Sequence, residues 1–331
     1  MDLLSRFLAL MPISGRVDVR CHFGAPWSID EGVAGVHEIR YHVLLSGHAV
    51  LEDGNGPPQR LEAGDIVLFP TRCSHRIHDG SRAPPVPPTH RQNLALVVAE
   101  NNADGDIAAI LCGRFLLGAV PDRLLRDHLP PRLIVKSNSA GSRSGPAVEA
   151  GSAADANSRL ARLIALMREE ASDERPGNET LVNHLSAALF ALTLRFASES
   201  EDPPYGLLAL AGNARLQAAV SAMFEGPGRP WTLDQFAELC HMSRATFARQ
   251  FHEAIGRSAT DLLTEVRMTV AGRALLETKS AVGEIGEMVG YLSEAAFHRT
   301  FKKQIGMSPA RWRASGGHVQ AARDVSALSV Q

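Results

Sequence analysis

The stretch LDQFAELCHMSRATFARQFHEAIG, residues 233–256, decides how the rest of the chain is interpreted. Its first part has apolar residues at the i, i+3, i+4 and i+7 positions of one helix face, namely Leu233, Phe236, Ala237 and Cys240. After a tight turn, Ser243 has the hydroxyl of a helix N-cap, and Gly256 suits the left-handed residue that ends a helix. A short helix, a turn and a second helix with a basic outer face predict a helix-turn-helix.

The same pattern occurs again fifty residues later, within IGEMVGYLSEAAFHRTFKKQIGMSP, residues 285–309. Seven positions match in type and spacing: Ser243, Phe247, Arg249, Phe251, Ile255, Gly256 and Ser258 correspond to Ser293, Phe297, Arg299, Phe301, Ile305, Gly306 and Ser308. A match of this length at a fixed spacing indicates an internal repeat of one whole structural unit.

The doubled pattern S-x-x-x-F-x-R-x-F-x-x-x-I-G, the G-Y before its second copy and the closing G-M-S-P-A-R-W-R resemble the AraC/XylS family of bacterial transcription regulators. The resemblance covers about residues 210–315 and implies a DNA-binding domain with two helix-turn-helix units, assigned here to residues 205–316. The expected partner is double-stranded DNA, with RNA polymerase as a further partner if the protein is an activator. Whether it activates or represses stays open.

Between the two copies, residues 259–279 predict one long helix. About twenty residues at 1.5 Å each span roughly 30 Å, and successive major-groove faces of B-DNA lie about 34 Å apart. The connector therefore has the length needed to hold two recognition helices in adjacent grooves on one side of the duplex.

The side chains expected on the DNA-facing surface follow from the helix period. They are Arg244, Ala245, Thr246, Ala248, Arg249 and Gln250 on the first recognition helix, and Glu294, Ala295, His298 and Arg299 on the second. Arg249 can contact guanine with two hydrogen bonds, and Glu294 can accept one from cytosine. Phosphate contacts are expected from Lys302, Lys303, Arg311 and Arg313. The alternative for each arginine is a solvated surface charge.

Composition gives only weak hints of nucleic-acid binding. The 331-residue chain suggests two or three domains, and its formal net charge is −2. Residues 205–316 contain thirteen Lys and Arg against ten Asp and Glu, so DNA affinity has to come from where the charges are placed. The N-terminus does not resemble a signal peptide, and no long apolar run predicts a membrane span. Four cysteines without close pairing predict a reducing, cytoplasmic location.

The first 134 residues have the pattern of a β-domain. Short apolar runs separated by turn residues between about 15 and 118 predict an antiparallel sandwich or barrel. LEAGDIVLFP, residues 61–70, followed by His75 resembles the second motif of cupin barrels, and the strand with His42 resembles a degenerate first motif. The overall expectation is an α+β chain, with a cupin-like sensor barrel at 1–134, a helical segment and an all-α DNA-binding domain.

Two further segments and a tail complete the expected organisation. Residues 135–156 are rich in Ser, Gly and Ala and predict a flexible connector, and residues 317–331 predict a disordered tail. Helices are expected at 157–172 and 177–198, within an interdomain segment at 157–202. The second helix has an apolar stripe formed by Leu181, Leu185, Ala188, Leu189, Leu192 and Phe196. That stripe either packs inside the chain or forms a homodimer interface.

The signal that the barrel senses is open between two alternatives. One is a small organic effector in the barrel cavity. The other is thiol or metal chemistry, with Cys21, Cys112 and Cys73 as sensor thiols, and with His42, His75 and Cys21 as ligands of zinc or another transition-metal ion. Strand cysteines are also ordinary core residues. We favour an oxidant or electrophile, because Cys21 lies in the most histidine-rich part of the chain.

Two other classes of function receive less support. Some cupins are enzymes, but the H-x-H, Glu and His metal set of that family is not intact here, which argues against catalysis. A purely architectural DNA-binding protein would leave about 200 residues of barrel and helices without a purpose.

Overall fold

The N-terminal half folds into two facing β-sheets in the computed structural model, which describes residues 2–93, 96–118, 121, 123–136, 151–173, 175–200 and 203–317. Of residues 151–157 only the backbone is described. The strands in the described chain are β1 (Ile13–Gly24), β2 (Ser28–Glu31), β3 (Glu38–Ser46), β4 (His48–Glu52), β5 (Gln59–Glu62), β6 (Ile66–Phe69), β7 (His75–His78), β8 (Thr89–Gln92), β9 (Val97–Glu100), β10 (Ile107–Leu117) and β11 (Leu133–Val135).

The larger sheet has the strand order β11-β6-β3-β10-β1-β9-β8, and the smaller has the order β2-β7-β4-β5. All pairs are antiparallel except β1 with β9, which are parallel. Along the described residues the ladders do not close into one continuous barrel, so the cupin-like domain is two stacked sheets. The expected α+β class and cupin-like architecture are confirmed, whereas an all-antiparallel closed barrel is not observed.

Both faces of the larger sheet are buried at its central strands β3, β6 and β10, which explains the long apolar runs of these strands. On β3, Leu44 faces the smaller sheet, whereas Val43 and Leu45 face the helices on the other side. Because both faces of β3 are buried, its sequence lacks the alternation of apolar and polar residues that usually predicts a strand.

The helices of the described chain are α1 (Leu3–Leu10), α2 (Arg123–Arg126), α3 (Gly151–Glu170), α4 (Asn178–Ser198), α5 (Leu207–Gly212), α6 (Gln217–Glu225), α7 (Leu233–Leu239), α8 (Arg244–Ile255), α9 (Ala259–Glu277), α10 (Val282–Met288), α11 (Glu294–Ile305) and α12 (Pro309–Ala314). The expected connector at 135–156 is therefore too long, because α3 already begins at Gly151. Its central part, residues 137–150, and the tail from residue 318 lie outside the described residues.

Helix α4 covers the larger sheet with a face that shares Leu189 with the expected stripe but also includes residues outside that stripe. Its buried residues include Val182, Ser186 and Phe190, whereas Leu181 is 41% exposed. Asn183 accepts a hydrogen bond from the Val17 amide at 3.0 Å, and the Ser186 hydroxyl lies 2.8 Å from that of Tyr41. These hydrogen bonds satisfy polar residues on the buried face of α4. Because those residues are polar, the sequence pattern did not show that this face is buried. Although α4 is long and apolar enough to cross a membrane by composition, here it packs on β1.

Two hydrophobic cores meet on the connector helix α9. The first core runs from the sensor through α5, α6, α7 and α8 and ends on the N-terminal half of α9, at Leu262, Leu263 and Val266. The second core contains Met268, Ala271 and Leu275 of α9 together with α10, α11 and α12. The first helix-turn-helix is thus continuous with the sensor, whereas the second has a core of its own.

Candidate functional site

The first helix-turn-helix forms as its local signals require. Thr232 and Gln235 cap α7 reciprocally, and the Ser243 hydroxyl accepts the amide of Thr246 at the start of α8. His241 occupies the turn with a left-handed φ of 52°. Gly256, with φ 68°, ends α8 in the expected C-cap conformation.

The second helix-turn-helix repeats this geometry with one additional residue in its turn. The Tyr291 amide bonds the Gly286 carbonyl as the Met242 amide bonds that of Ala237, which is an offset of 49 rather than 50. The recognition helices α8 and α11 are nevertheless offset by 50, so Leu292 is the insertion. Its side chain is fully exposed.

The two recognition helices present equivalent faces. Arg244, Ala245 and Arg249 on α8 are exposed, and so are Glu294, Ala295 and Arg299 on α11. The remaining expected contacts lie on or beside these faces: Thr246, Ala248, Gln250 and His298 are partly exposed, and Lys302 and Lys303 are exposed. The aromatic residues Phe247, Phe251, Phe297, Phe301 and Trp312 are buried, as expected of side chains that hold the helices in place.

Weak surface contacts modulate some of these side chains. Arg244 lies 3.5 Å from Asp234, and His298 lies 3.4 Å from Glu294. Both pairs are solvent-exposed, so they hold the side chains loosely and leave them available to DNA.

Helix α9 and a half-buried arginine brace the two units against each other. At nineteen residues α9 is about 28 Å long. Its Arg267 donates to the carbonyls of Pro227 and Arg229 at 2.7 and 2.8 Å, and its guanidinium lies over the Tyr291 ring. Burial lowers the pKa of Arg267. No local sequence signal marks this residue, because its partners lie on distant loops.

One expected phosphate contact has a structural role instead. Arg313 donates to the carbonyl oxygens of Leu275 and Ser280, at 2.9 and 2.6 Å, and so satisfies the backbone at the C-terminal end of α9. Arg311, two residues earlier, is exposed. A phosphate contact by Arg313 stays a prediction, and in this structure its guanidinium serves backbone carbonyls at and just after the end of α9.

A second site lies between the two sheets of the sensor. His42 Nδ1 is 3.0 Å from Cys112 Sγ, and His42 Nε2 is 2.8 Å from His75 Nε2. Because His42 is on β3 and His75 is on β7, the imidazole pair connects the larger sheet to the smaller. Cys21 lies beside Cys112, because the two cysteines are diagonal neighbours across the antiparallel β1–β10 pair and belong to the same core. These four side chains form the thiol–imidazole cluster.

Burial sets the protonation states in this cluster. It lowers the pKa of His42 well below its usual range and that of His75 to about 4, so both imidazoles are neutral near pH 7. The hydrogen bond with Cys21 and burial raise the pKa of Cys112 well above its usual range. The Cys112 thiol is therefore protonated at rest and can donate its proton to His42 Nδ1.

The other expected sensor thiol lies outside the cluster. Cys73 is half-buried on the turn before β7. The neighbouring Arg72 and Arg76 bind the Ala34 carbonyl and Asp30.

A metal-binding role for the cluster gains only partial support. His42 and His75 bring two imidazole nitrogens together, but no three His, Cys, Asp or Glu side chains within the described ranges are arranged to hold an ion. Among the described residues, His42, His75 and Cys21 are therefore not arranged as the three ligands that such a site needs. It stays a prediction.

Comparisons with known proteins agree with this two-part architecture. A cupin family model matches residues 2–199, and a helix-turn-helix domain model matches residues 236–315. The RCS-specific HTH-type transcriptional activator RclR of Escherichia coli is 28% identical over 321 residues, covering 95% of this chain and 97% of the relative. The HTH-type transcriptional regulator MtrA of Neisseria gonorrhoeae is 26% identical, covering 96% and 99%.

Two solved structures are also similar to this chain. The DNA-binding domain of AdpA in complex with a target DNA is 29% identical over 31% of this chain and 93% of that one, with a TM-score of 0.30. Fatty-acid-bound ToxT from Vibrio cholerae covers 92% of this chain and 94% of that one at 10% identity, with a TM-score of 0.36. With its cupin domain and doubled helix-turn-helix, the chain belongs to the AraC/XylS family of DNA-binding transcription regulators.

Proposed function

We propose that this DNA-binding regulator is a cytoplasmic homodimer whose sensor responds to oxidants or electrophiles through Cys21 and Cys112, and that it is not an enzyme. The observation that carries the proposal is the thiol–imidazole cluster, in which two buried thiols are diagonal neighbours on adjacent strands and one of them contacts His42. A thiol pair of this kind has a chemical use that a packed aliphatic core does not.

The proposed reaction is a two-electron oxidation. A peroxide or hypohalous acid transfers oxygen or halogen to one sulfur, and the oxidant is reduced. The second thiol then displaces water or halide from that sulfur, which forms an S–S bond. With peroxide, two thiols and one oxidant molecule give one disulfide and two water molecules. His42 Nδ1 is placed to accept the Cys112 proton as this thiol reacts.

Strand register predicts that the disulfide strains the sheet. Cys112 is directly opposite Val19, and Cys21 is opposite Ile110, so the two cysteines are diagonal neighbours on one face. Diagonal residues are about 7–8 Å apart, whereas a disulfide needs Cα atoms about 4.4–6.8 Å apart. Oxidation would therefore pull β1 and β10 by roughly an ångström, and this movement is a physical signal.

The raised pKa of Cys112 predicts selectivity among oxidants. A protonated, buried thiol reacts slowly with mild electrophiles. The sensor should therefore respond to hypohalous acids at lower concentrations than to peroxide. The Escherichia coli relative is an RCS-specific transcriptional activator, which supports a specific signal and gene activation for this chain, with RNA polymerase as a partner.

Cysteine variants test the proposal in a reporter strain. Cys21→Ser and Cys112→Ser should each abolish the response to hypochlorous acid, while Cys240→Ser removes a core thiol outside the sensor and serves as the control. Cys73→Ser shows whether the half-buried thiol takes part. An undiminished response of the Cys21→Ser, Cys112→Ser double variant would rule the proposal out.

The DNA-contact residues are proposed from their exposure on α8 and α11. The twelve side chains are Arg244, Ala245, Thr246, Ala248, Arg249, Gln250, Glu294, Ala295, His298, Arg299, Lys302 and Lys303. They lie on the helix surfaces that a helix-turn-helix turns to the major groove and its flanking phosphates.

The homodimer is supported by apolar surface left on the sensor helices. Leu181 of α4 is 41% exposed and Leu166 of α3 is 39% exposed. Leu181→Asp should shift the sedimentation coefficient to that of a monomer, whereas Leu239→Asp, at a similarly exposed leucine on α7, should not.

A small-molecule effector is the second candidate, and one cavity favours it. A space of about 460 Å³ lies between α1, α4 and α5, lined by Arg195, Phe196 and Leu192 among others. If the double cysteine variant responds fully to its signal and Arg195→Ala does not, this cavity replaces the thiols as the sensing site. Metal analysis of the purified protein, with His42→Ala as control, tests a metal-responsive version.

A further inference from the structure

The short helix α2 connects the sensor to the DNA-binding domain. It follows β10, the strand that contains Cys112, and packs against the connector helix α9. Leu124 and Leu125 are fully buried there. Pro121 lies so close to α9 that a Cβ on Gly272 would approach its ring to 2.5 Å. Along the sequence, only a few residues separate β10 from the segment that contacts α9. A movement of β10 would therefore be passed to α9 over a short length of chain.

A buried carboxylate joins the two domains at this point. Glu265 lies in the middle of α9, and its two carboxylate oxygens bind different domains: Oε2 contacts His128 Nε2, just after α2, and Oε1 contacts Arg257. The side chains of His128 and Glu265 are only 1% and 4% exposed. A buried carboxylate is costly without such partners, so the arrangement depends on both domains being in place.

The same network extends to the C-terminal ends of both recognition helices. Arg257 directly follows the C-cap of α8 and binds Asp127 at 3.3 Å. Asp127 also binds Arg123, at 2.7 Å, and Arg123 donates to the side chain of Gln304 in the last turn of α11, at 2.8 Å. One segment of the sensor therefore contacts both DNA-reading units.

Backbone contacts reinforce the junction. The Leu207 amide donates to the His128 carbonyl, and the Gly206 amide donates to that of Ala254 in α8, both at 3.2 Å. Gly206 has a φ of 109°, and a Cβ there would lie 2.3 Å from the His128 oxygen. Only glycine allows this approach.

We propose that Glu265 is a positioning residue that, with His128 and Arg257, couples the state of the sensor to the placement of the recognition helices. Coupling of this kind is reciprocal: if the sensor biases DNA binding, DNA binding biases the sensor by the same factor. The coupling can therefore be measured without knowing the signal.

The test is hydrogen exchange of the full-length protein with and without a DNA duplex that the wild-type protein has selected from a random library. DNA should slow exchange in residues 123–135 of the wild type by about fivefold or more, the lower end of typical coupling energies. In Glu265→Gln the DNA-dependent change should fall below about twofold, while the recognition helices remain protected by DNA. Glu277→Gln, an exposed carboxylate on the same helix, should behave like the wild type.

The difference caused by DNA, not the absolute exchange rate, is the decisive quantity, because simple destabilisation changes only the latter. Arg257→Gln, at a half-buried partner, serves as the second variant if Glu265→Gln does not fold. Full DNA-dependent protection of residues 123–135 in either folded variant, or no such protection in the wild type, would overturn the proposal.

Discussion

The two helix-turn-helix units have the same architecture but different surroundings. The first shares a core with the sensor through α5, α6 and the N-terminal half of α9, and the second closes its own core around Trp312. Their outer faces differ as well: α8 exposes two arginines, whereas α11 exposes Glu294, Arg299 and a pair of lysines. The two units thus share an architecture but differ in the cores that hold them and in the side chains that they expose.

This difference indicates that the two units have different roles. The first unit shares a core with the sensor, so we expect its position to change with the state of the sensor. The second unit depends on α9, Arg267 and the Arg123–Gln304 contact for its placement. Its lysines suit phosphates, which fix position without reading sequence.

The largest expected effect comes from removing one core aromatic from each unit. Phe247→Ala and Phe297→Ala should each lower the free energy of unfolding by about 3–5 kcal/mol, since both rings are fully buried. The losses should differ in extent: Phe247→Ala should raise hydrogen exchange in α4 and α5, whereas Phe297→Ala should raise it only in α10, α11 and α12. If both substitutions raised hydrogen exchange in the same helices, the two cores would not be distinct.

The turns should respond in different ways to substitution. Gly290→Ala places a Cβ 2.6 Å from the Gly228 carbonyl at a φ of 87°, so we expect a loss of about 1–3 kcal/mol in urea unfolding. His241→Gly relaxes the corresponding left-handed residue in the first unit but also loosens the unfolded chain, so its effect should stay within about 1 kcal/mol. A harmless Gly290→Ala would mean that the second turn is not packed as described.

Base recognition should depend on both arginines. Arg249→Ala and Arg299→Ala should each cost about 1–3 kcal/mol of specific affinity and relax selectivity at one base position, measured by competition gel shift. The control is Arg313→Ala, which should lower stability before it changes sequence preference, since Arg313 binds backbone carbonyls. Full operator specificity of the double arginine variant would contradict the assignment.

The smallest effect should come from the lysine pair of α11. Lys302→Ala should weaken binding to all sequences about equally and reduce the slope of log affinity against log salt by about 1. Glu253→Ala on the exposed face of α8 should leave that slope unchanged or steepen it. A change in base preference with Lys302→Ala would place this lysine at a base edge instead.

Much of the DNA-binding domain was predictable because its signals are local. Ser243, Gly256 and Ser258 cap helices as their residue types require, and the repeat marks the same positions in the second unit. The sequence repeat did not reveal the inserted Leu292, because all seven matches at an offset of fifty residues lie on its C-terminal side. The separate helices α5 and α6 were not anticipated within the domain.

The sensor and the junction were less predictable, because their contacts join distant parts of the chain. His42, His75, Cys21 and Cys112 were identified as candidates, but their mutual contacts depend on sheet register. His128 and Glu265, 137 residues apart, have no local pattern that pairs them. The buried face of α4 extends beyond the expected stripe to the polar residues Ser186 and Thr193, since Ser186 bonds Tyr41 of the sheet and Thr193 bonds the Leu189 carbonyl within the helix.

We propose that the two unequal units bind DNA together, with their recognition helices in adjacent major grooves. Hydroxyl-radical footprinting on a duplex selected by the wild-type protein tests it most directly. The α9 length predicts, for each protein chain, two protected patches about one helical turn apart on one side of the duplex, with Arg299→Ala weakening the patch at one end and Arg249→Ala that at the other. A single protected patch per chain, or two patches weakened equally by either variant, would contradict the account.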